Sequence, residues 1–174
     1  MSYEGEILNE CPADIDFAHT WAVVVSGAKW NKCGHMLFCC GNDSDTCWYF
    51  HVAGQGLKEW GGVRAYPKFM RGDSNFAKYL ADNSKKEIRR IDVKITNPSG
   101  AYNKLIDEMA NEWYWGVLIH NCATFARDIV IAGGGKVEVL LNCPDQEFAQ
   151  KVEKVIDDAL EGIAKSNLPY GIGM

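Results

Sequence analysis

The chain has 174 residues, 47% of them hydrophobic and 24% charged, with a formal net charge of -5. This is one domain's worth of globular chain, too apolar for a disordered one and long enough to bury a core without disulfide or metal staples. The acidic balance speaks against a nucleic-acid partner, which needs clustered positive charge.

The opening MSYEGEILNECPADID is acidic and lacks a basic segment followed by an apolar run. No cleavable signal peptide is therefore expected. No stretch approaches the roughly 18 apolar residues that a spanning helix needs, so no membrane span is expected either. Cys11, Cys33, Cys39, Cys40, Cys47, Cys122 and Cys143 are an odd count. This fits reduced thiols in a chain made in a cytoplasm, with delivery elsewhere left open. No repeat or linker divides the chain, so residues 1–174 are read as a single domain.

The first half reads as strands. Trp21–Val25 is a β-branched run stopped by Ser26-Gly27. His35–Cys40 and Thr46–Ala53 flank the turn residues Gly41–Asp45 and form a hairpin candidate. A further strand is expected at Ile88–Thr96. The second half reads as helices. In PSGAYNKLIDEMANEWYW, apolar residues at Tyr102, Leu105, Ile106, Met109, Ala110 and Trp113 follow the spacing of one helix face. A second helix is expected at Cys122–Ala132, with Asn121 as N-cap and Gly133 as its stop. A third is expected over about 145–165. Strands followed by helices favour an α+β fold.

Cys39, Cys40 and Cys47 lie inside apolar strand runs, where burial opposes the thiolate. Cys122 differs. As the first residue of a helix it meets the positive end of the helix dipole and free backbone N–H groups, which favour a thiolate and can hold an oxyanion. The plainer reading is a buried cysteine at a helix start.

A thiol nucleophile wants an imidazole in reach and a third group to orient it. With a five-residue loop at 41–45, Cys40 pairs with Thr46 and His35 falls opposite His51. Opposed residues share a sheet face, with Cβ atoms about 5 Å apart. One histidine then serves as base and the other as orienter. Two rivals stand: a pair of satisfied core histidines, or a structural zinc site among Cys33, His35, Cys39, Cys40, Cys47 and His51. The absence of a CxxC pair counts against zinc. His120, just before the cap, and the tryptophans Trp60, Trp113 and Trp115 are candidates to line a groove, with core packing the alternative for the tryptophans. The run Lys85–Arg90 reads as a solvated strand edge.

The fragment YWGVLIHNCATFARDIV resembles the nucleophile segment of circularly permuted papain-like thiol enzymes. These include NlpC-type peptidases and the lecithin retinol acyltransferase-like and PPPDE groups. In the last two, an Asn-Cys pair opens a helix with a Phe three residues on, as Asn121, Cys122 and Phe125 do here. The segments GHMLFCCG and TCWYFHVAG resemble the acyltransferase group's two His-bearing strands, and the order His, His, Cys is the permuted one. Two departures are Ala123, where that group usually has an acidic residue, and a second hairpin His that the PPPDE group does not rely on.

The resemblance implies a permuted papain-like α+β fold, with Cys122 as nucleophile, His35 as base and His51 as orienting residue. Asn121, His120 and Trp113 would serve the oxyanion or the substrate. No metal or organic cofactor is called for. The implied activity is a cysteine peptidase or amidase working through an acyl-enzyme, most directly on peptidoglycan peptides. It could be an antibacterial effector exported to a target cell's periplasm and held in check by an immunity protein. A lipid acyltransferase or phospholipase and a ubiquitin-like-protein protease are alternatives of the same fold. A binding module with a structural Cys/His cluster is the non-enzyme alternative.

Overall fold

The computed structural model describes residues 2–27, 33–52, 63–115, 121–136 and 154. In chain order the strands are β1 (Thr20–Val25), β2 (His35–Cys40), β3 (Trp48–His51), β4 (Val63–Ala65), β5 (Lys68–Arg71), β6 (Glu87–Asp92) and β7 (Trp113–Trp115). The helices are α1 (Asp73–Asp82), α2 (Pro98–Ala110) and α3 (Cys122–Ala132). The fold is α+β. Five strands form one antiparallel sheet in the order β5-β3-β2-β1-β6, and β4 pairs with β7 in a separate two-stranded sheet.

The central sheet is covered on both faces, which explains why β2 reads as an unbroken apolar run rather than an alternating one. One face carries Ala22, Val24, Met36, Phe38, Cys40, Trp48 and Phe50 against Ala101, Leu105 and Met109 of α2 and Phe125, Ala126, Ile129 and Val130 of α3. The other carries Val23, Val25, Leu37, Cys39, Tyr49 and Met70 against Phe76 and Tyr79 of α1. Each such large side chain, fully buried, contributes on the order of 1.5–3 kcal/mol.

The hairpin register differs from the expected one by two residues. Cys40 pairs with Trp48, not Thr46, so the loop spans seven residues, 41 to 47. The Asp43 carbonyl accepts from Thr46 N at 3.2 Å and Cys47 N at 2.8 Å, which draws both residues out of the strand. Gly41 turns the chain with φ +103, where a side chain is strained and a Cβ would come within 3.0 Å of Cys47 Cα. A shift of two keeps every side chain on its face. His35 and His51 therefore remain on one face, as diagonal rather than direct neighbours.

Three further expectations are corrected. The helix expected to continue to Trp113 ends at Ala110. Asn111 adopts extended backbone and its carboxamide donates to the Asp107 carbonyl at 2.7 Å, so Trp113–Trp115 pairs as a strand with β4. The strand expected to reach Thr96 stops at Asp92, because Thr96 N and Asn97 N turn to the Gly133 carbonyl. Cys33 is disulfide-bonded, so not all seven cysteines are reduced thiols; Cys11, Cys39, Cys40, Cys47 and Cys122 are free.

Three elements that the sequence pattern did not reveal, β4, β5 and α1, fill the stretch from Val63 to Asp82. The helix expected over about 145–165 lies outside the described residues. Among the described residues no helix is long and apolar enough to cross a membrane.

Candidate active site

The nucleophile candidate sits where the capping pattern places it. Asn121 Oδ1 accepts from Ala123 N at 2.9 Å and Thr124 N at 3.1 Å, and Thr124 Oγ1 accepts from Asn121 N at 2.7 Å. This is a reciprocal capping box, with Thr in the place more often held by Glu. Phe125 N donates to the Asn121 carbonyl, which leaves the Cys122 N–H as the first-turn donor not consumed by the cap. Asn121 is itself buried, and its side-chain oxygen works on the helix rather than on a ligand. Asn121→Ala is expected to cost about 1 kcal/mol, read as a lower denaturant midpoint, while Asn121→Asp retains the cap.

Behind Cys122, Phe125 is fully buried and meets Trp113 edge-on, with ring centroids 5.7 Å apart at 84°. Trp113 thus packs within the core beneath α3. His120 and Trp60 lie outside the described residues. His19 is a surface histidine bound to Asp16.

The other half of the site comes from the hairpin. His35 opens β2, and the N–H of the next residue, Met36, donates to Cys122 Sγ at 3.4 Å. His35 Nε2 lies 3.0 Å from His51 Nδ1, with the rings edge to face at 85°. His51 Nε2 in turn lies 2.9 Å from the Glu4 carbonyl oxygen. Cys122, His35 and His51 therefore gather at one end of the sheet, each buried. Among the described residues no group of three or more His, Cys, Asp or Glu is placed to hold a metal.

The electrostatics follow from that burial. Burial, then the neighbouring His51 and the Lys85 charge, hold His35 well below the usual imidazole value. Burial lowers His51 to about 4, although its bond to Glu4 works the other way. Both rings are neutral at pH 7. Burial also pushes the Cys122 thiol up, against the expectation that the helix N-terminus would favour a thiolate. The N–H groups of Met36, Ala123 and Cys122 and the Lys85 charge oppose the rise without cancelling it. At rest the thiol and both imidazoles are thus neutral. Cys39, pushed up to about 12, and Cys47, to about 11, behave as the strand burial predicts.

A stability consequence follows for the histidines. Their folded values lie below the unfolded one, so from about pH 6.5 downward the unfolded chain binds protons that the folded chain refuses. Stability is expected to fall from about pH 6.5 to about pH 4, by about 3 kcal/mol for His51 alone. Urea midpoints across that range check it. A flat profile would contradict the neutral pair, and His51→Gln should make the profile shallower.

Three groups take roles that the residue pattern does not signal. Lys85, expected on a solvated edge, is turned inward: its ammonium donates to the Ser26 carbonyl at 3.2 Å and its charge bears on Cys122, His35 and His51. Arg90 of the same run bonds Tyr49 Oη at 2.9 Å, which donates to Asp73 at 2.6 Å, on the sheet face that α1 covers. The Glu4 carbonyl, a backbone group, had no signal in residue types. Compared with protein-family models, with curated proteins and with solved structures, the chain matches none.

Proposed function

We propose that the protein is a cysteine hydrolase of permuted papain-like architecture that cleaves an amide bond through an acyl-enzyme. The observation that carries this reading is that Cys122, at a capped helix N-terminus, accepts from the N–H of Met36, the residue after His35, whose ring pairs with His51.

In the proposed reaction His35 takes the Cys122 proton as the sulfur attacks the carbonyl carbon. The carbonyl π pair moves to oxygen, and the Cys122 N–H, with the helix dipole behind it, holds that oxyanion. Collapse expels the amine, which receives the proton from His35. Water, deprotonated by His35, then attacks the thioester and releases the acid and the free thiol. Because the thiol is protonated at rest, the base acts during attack rather than before it.

For the substrate we favour the cross-linking peptides of peptidoglycan, with the chain acting as an antibacterial effector restrained by an inhibitor protein. This rests on the resemblance to NlpC-type peptidases and on the net charge of -5, which disfavours an anionic lipid surface. The test is mass spectrometry of purified peptidoglycan incubated with the wild type and with Cys122→Ala. New fragments made by the wild type alone would establish the activity and name the bond. Intact peptidoglycan would reject this substrate and leave lipid and protein acyl groups as the next to try.

A further inference from the structure

The segment from Tyr3 to Glu6 is pinned beside the histidine pair at three places. Glu6 bridges Phe69 at the edge of β5, with Glu6 N to Phe69 O at 2.8 Å and Phe69 N to Glu6 O at 2.9 Å. Tyr3 N donates to Asp82 at 3.1 Å, and the Asn83 carboxamide donates to the Tyr3 carbonyl at 2.8 Å. Between these anchors Gly5 has φ +89, and a Cβ there would lie 2.5 Å from the Phe69 carbonyl oxygen. Only glycine lets the chain lie so close to β5 while the Glu4 carbonyl reaches His51.

A carbonyl oxygen only accepts, and this one decides the protonation pattern of both rings. His51 Nε2 must carry the hydrogen that points to Glu4, so the neutral ring is bare at Nδ1. That bare nitrogen accepts from His35 Nε2, which must then carry its hydrogen. The neutral His35 ring is left with its lone pair on Nδ1.

We propose that the Glu4 carbonyl, held by Gly5, is a positioning group that sets both tautomers and leaves His35 Nδ1 as the basic nitrogen of the site. When His35 gains a second proton at Nδ1, its Nε2–H still donates to a neutral His51, so no further proton has to move. Without the carbonyl, His51 is free to carry its hydrogen on Nδ1 and donate to His35 Nε2. The basic lone pair of His35 would then be tied up in that bond. The role of the basic nitrogen rests on the hydrolase reading above; the tautomer assignment does not.

The test is ring nitrogen and proton NMR on histidine-labelled full-length protein at neutral pH, compared with Gly5→Ala. In the wild type both His35 and His51 should be Nε2–H tautomers, with a coupling pathway from His35 Nε2–H to His51 Nδ1. An Nδ1–H form of either ring in the wild type would overturn the proposal regardless of any variant. Gly5→Ala should shift both rings toward the Nδ1–H form and lower kcat about tenfold with KM unchanged. A folded Gly5→Ala protein with wild-type ring signals would overturn the role given to Gly5. Nε2–H rings in a protein that cleaves no acyl substrate would keep the tautomer lock and reject the hydrolase.

Discussion

Alanine at Cys122 is expected to abolish substrate cleavage, with a loss of at least about 10⁴-fold in kcat, while the fold survives. The side chain removed is small, and its buried sulfur accepts a long hydrogen bond from Met36 N. The capping box that starts α3 belongs to Asn121 and Thr124 and remains intact. The stability cost should therefore stay near 1 kcal/mol, as for deletion of one small buried group. Cys122→Ser is a sharper probe, because it keeps the shape and replaces thiol by hydroxyl. It too should be inactive at the level of detection, since a serine here lacks the thiol's nucleophilicity. Kinetics of cleavage and a urea melt of each variant check both halves. Retained turnover in Cys122→Ala would remove the acyl-enzyme from consideration.

The second large effect concerns the histidines, which should not be equivalent. His35→Ala removes the proposed base and should lower kcat by about 10³-fold. His51→Ala removes only the partner of His35 Nε2, and a loss of about 10- to 100-fold is expected. Both substitutions leave a space at the head of the hairpin, so comparable losses of stability accompany unequal losses of rate. The pH profile separates the roles further. With His35 held below the usual imidazole value, kcat/KM should remain level through about pH 6.5 and fall only at more acid pH. An acid limb at the ordinary imidazole value would mean that the base is an exposed group and not His35. Equal rate losses in the two variants would assign the pair a structural task.

Much of this arrangement is legible in residue patterns because it rests on local rules. Asn121 before a run of Ala, Phe, Ala, Ile and Val, with Gly133 at its end, announces α3 to the residue. The two histidines announce themselves because side chains in strands alternate, and an error of two in the hairpin register leaves that parity intact. The same error shows the limit. Turn composition points to a five-residue loop, whereas the Asp43 carbonyl draws Thr46 and Cys47 into the turn. Trp113 extends a helical periodicity, yet Asn111 ends the helix before it, and a coincidence of spacing cannot reveal a cap.

By itself, then, the sequence determines the α+β class, the hairpin that carries His35 and His51, and the helix that begins at Cys122. These follow from hydrophobic period, turn residues and capping, all of which act within a few neighbours. Tertiary structure alone decides that the sheet end joins these pieces, that the thiol is protonated at rest and that Lys85 points inward. It alone brings the Glu4 carbonyl to His51, 47 positions along the chain. Burial and long-range contact set those properties. Both depend on which distant segments exclude water from a group, which no local pattern of residues encodes.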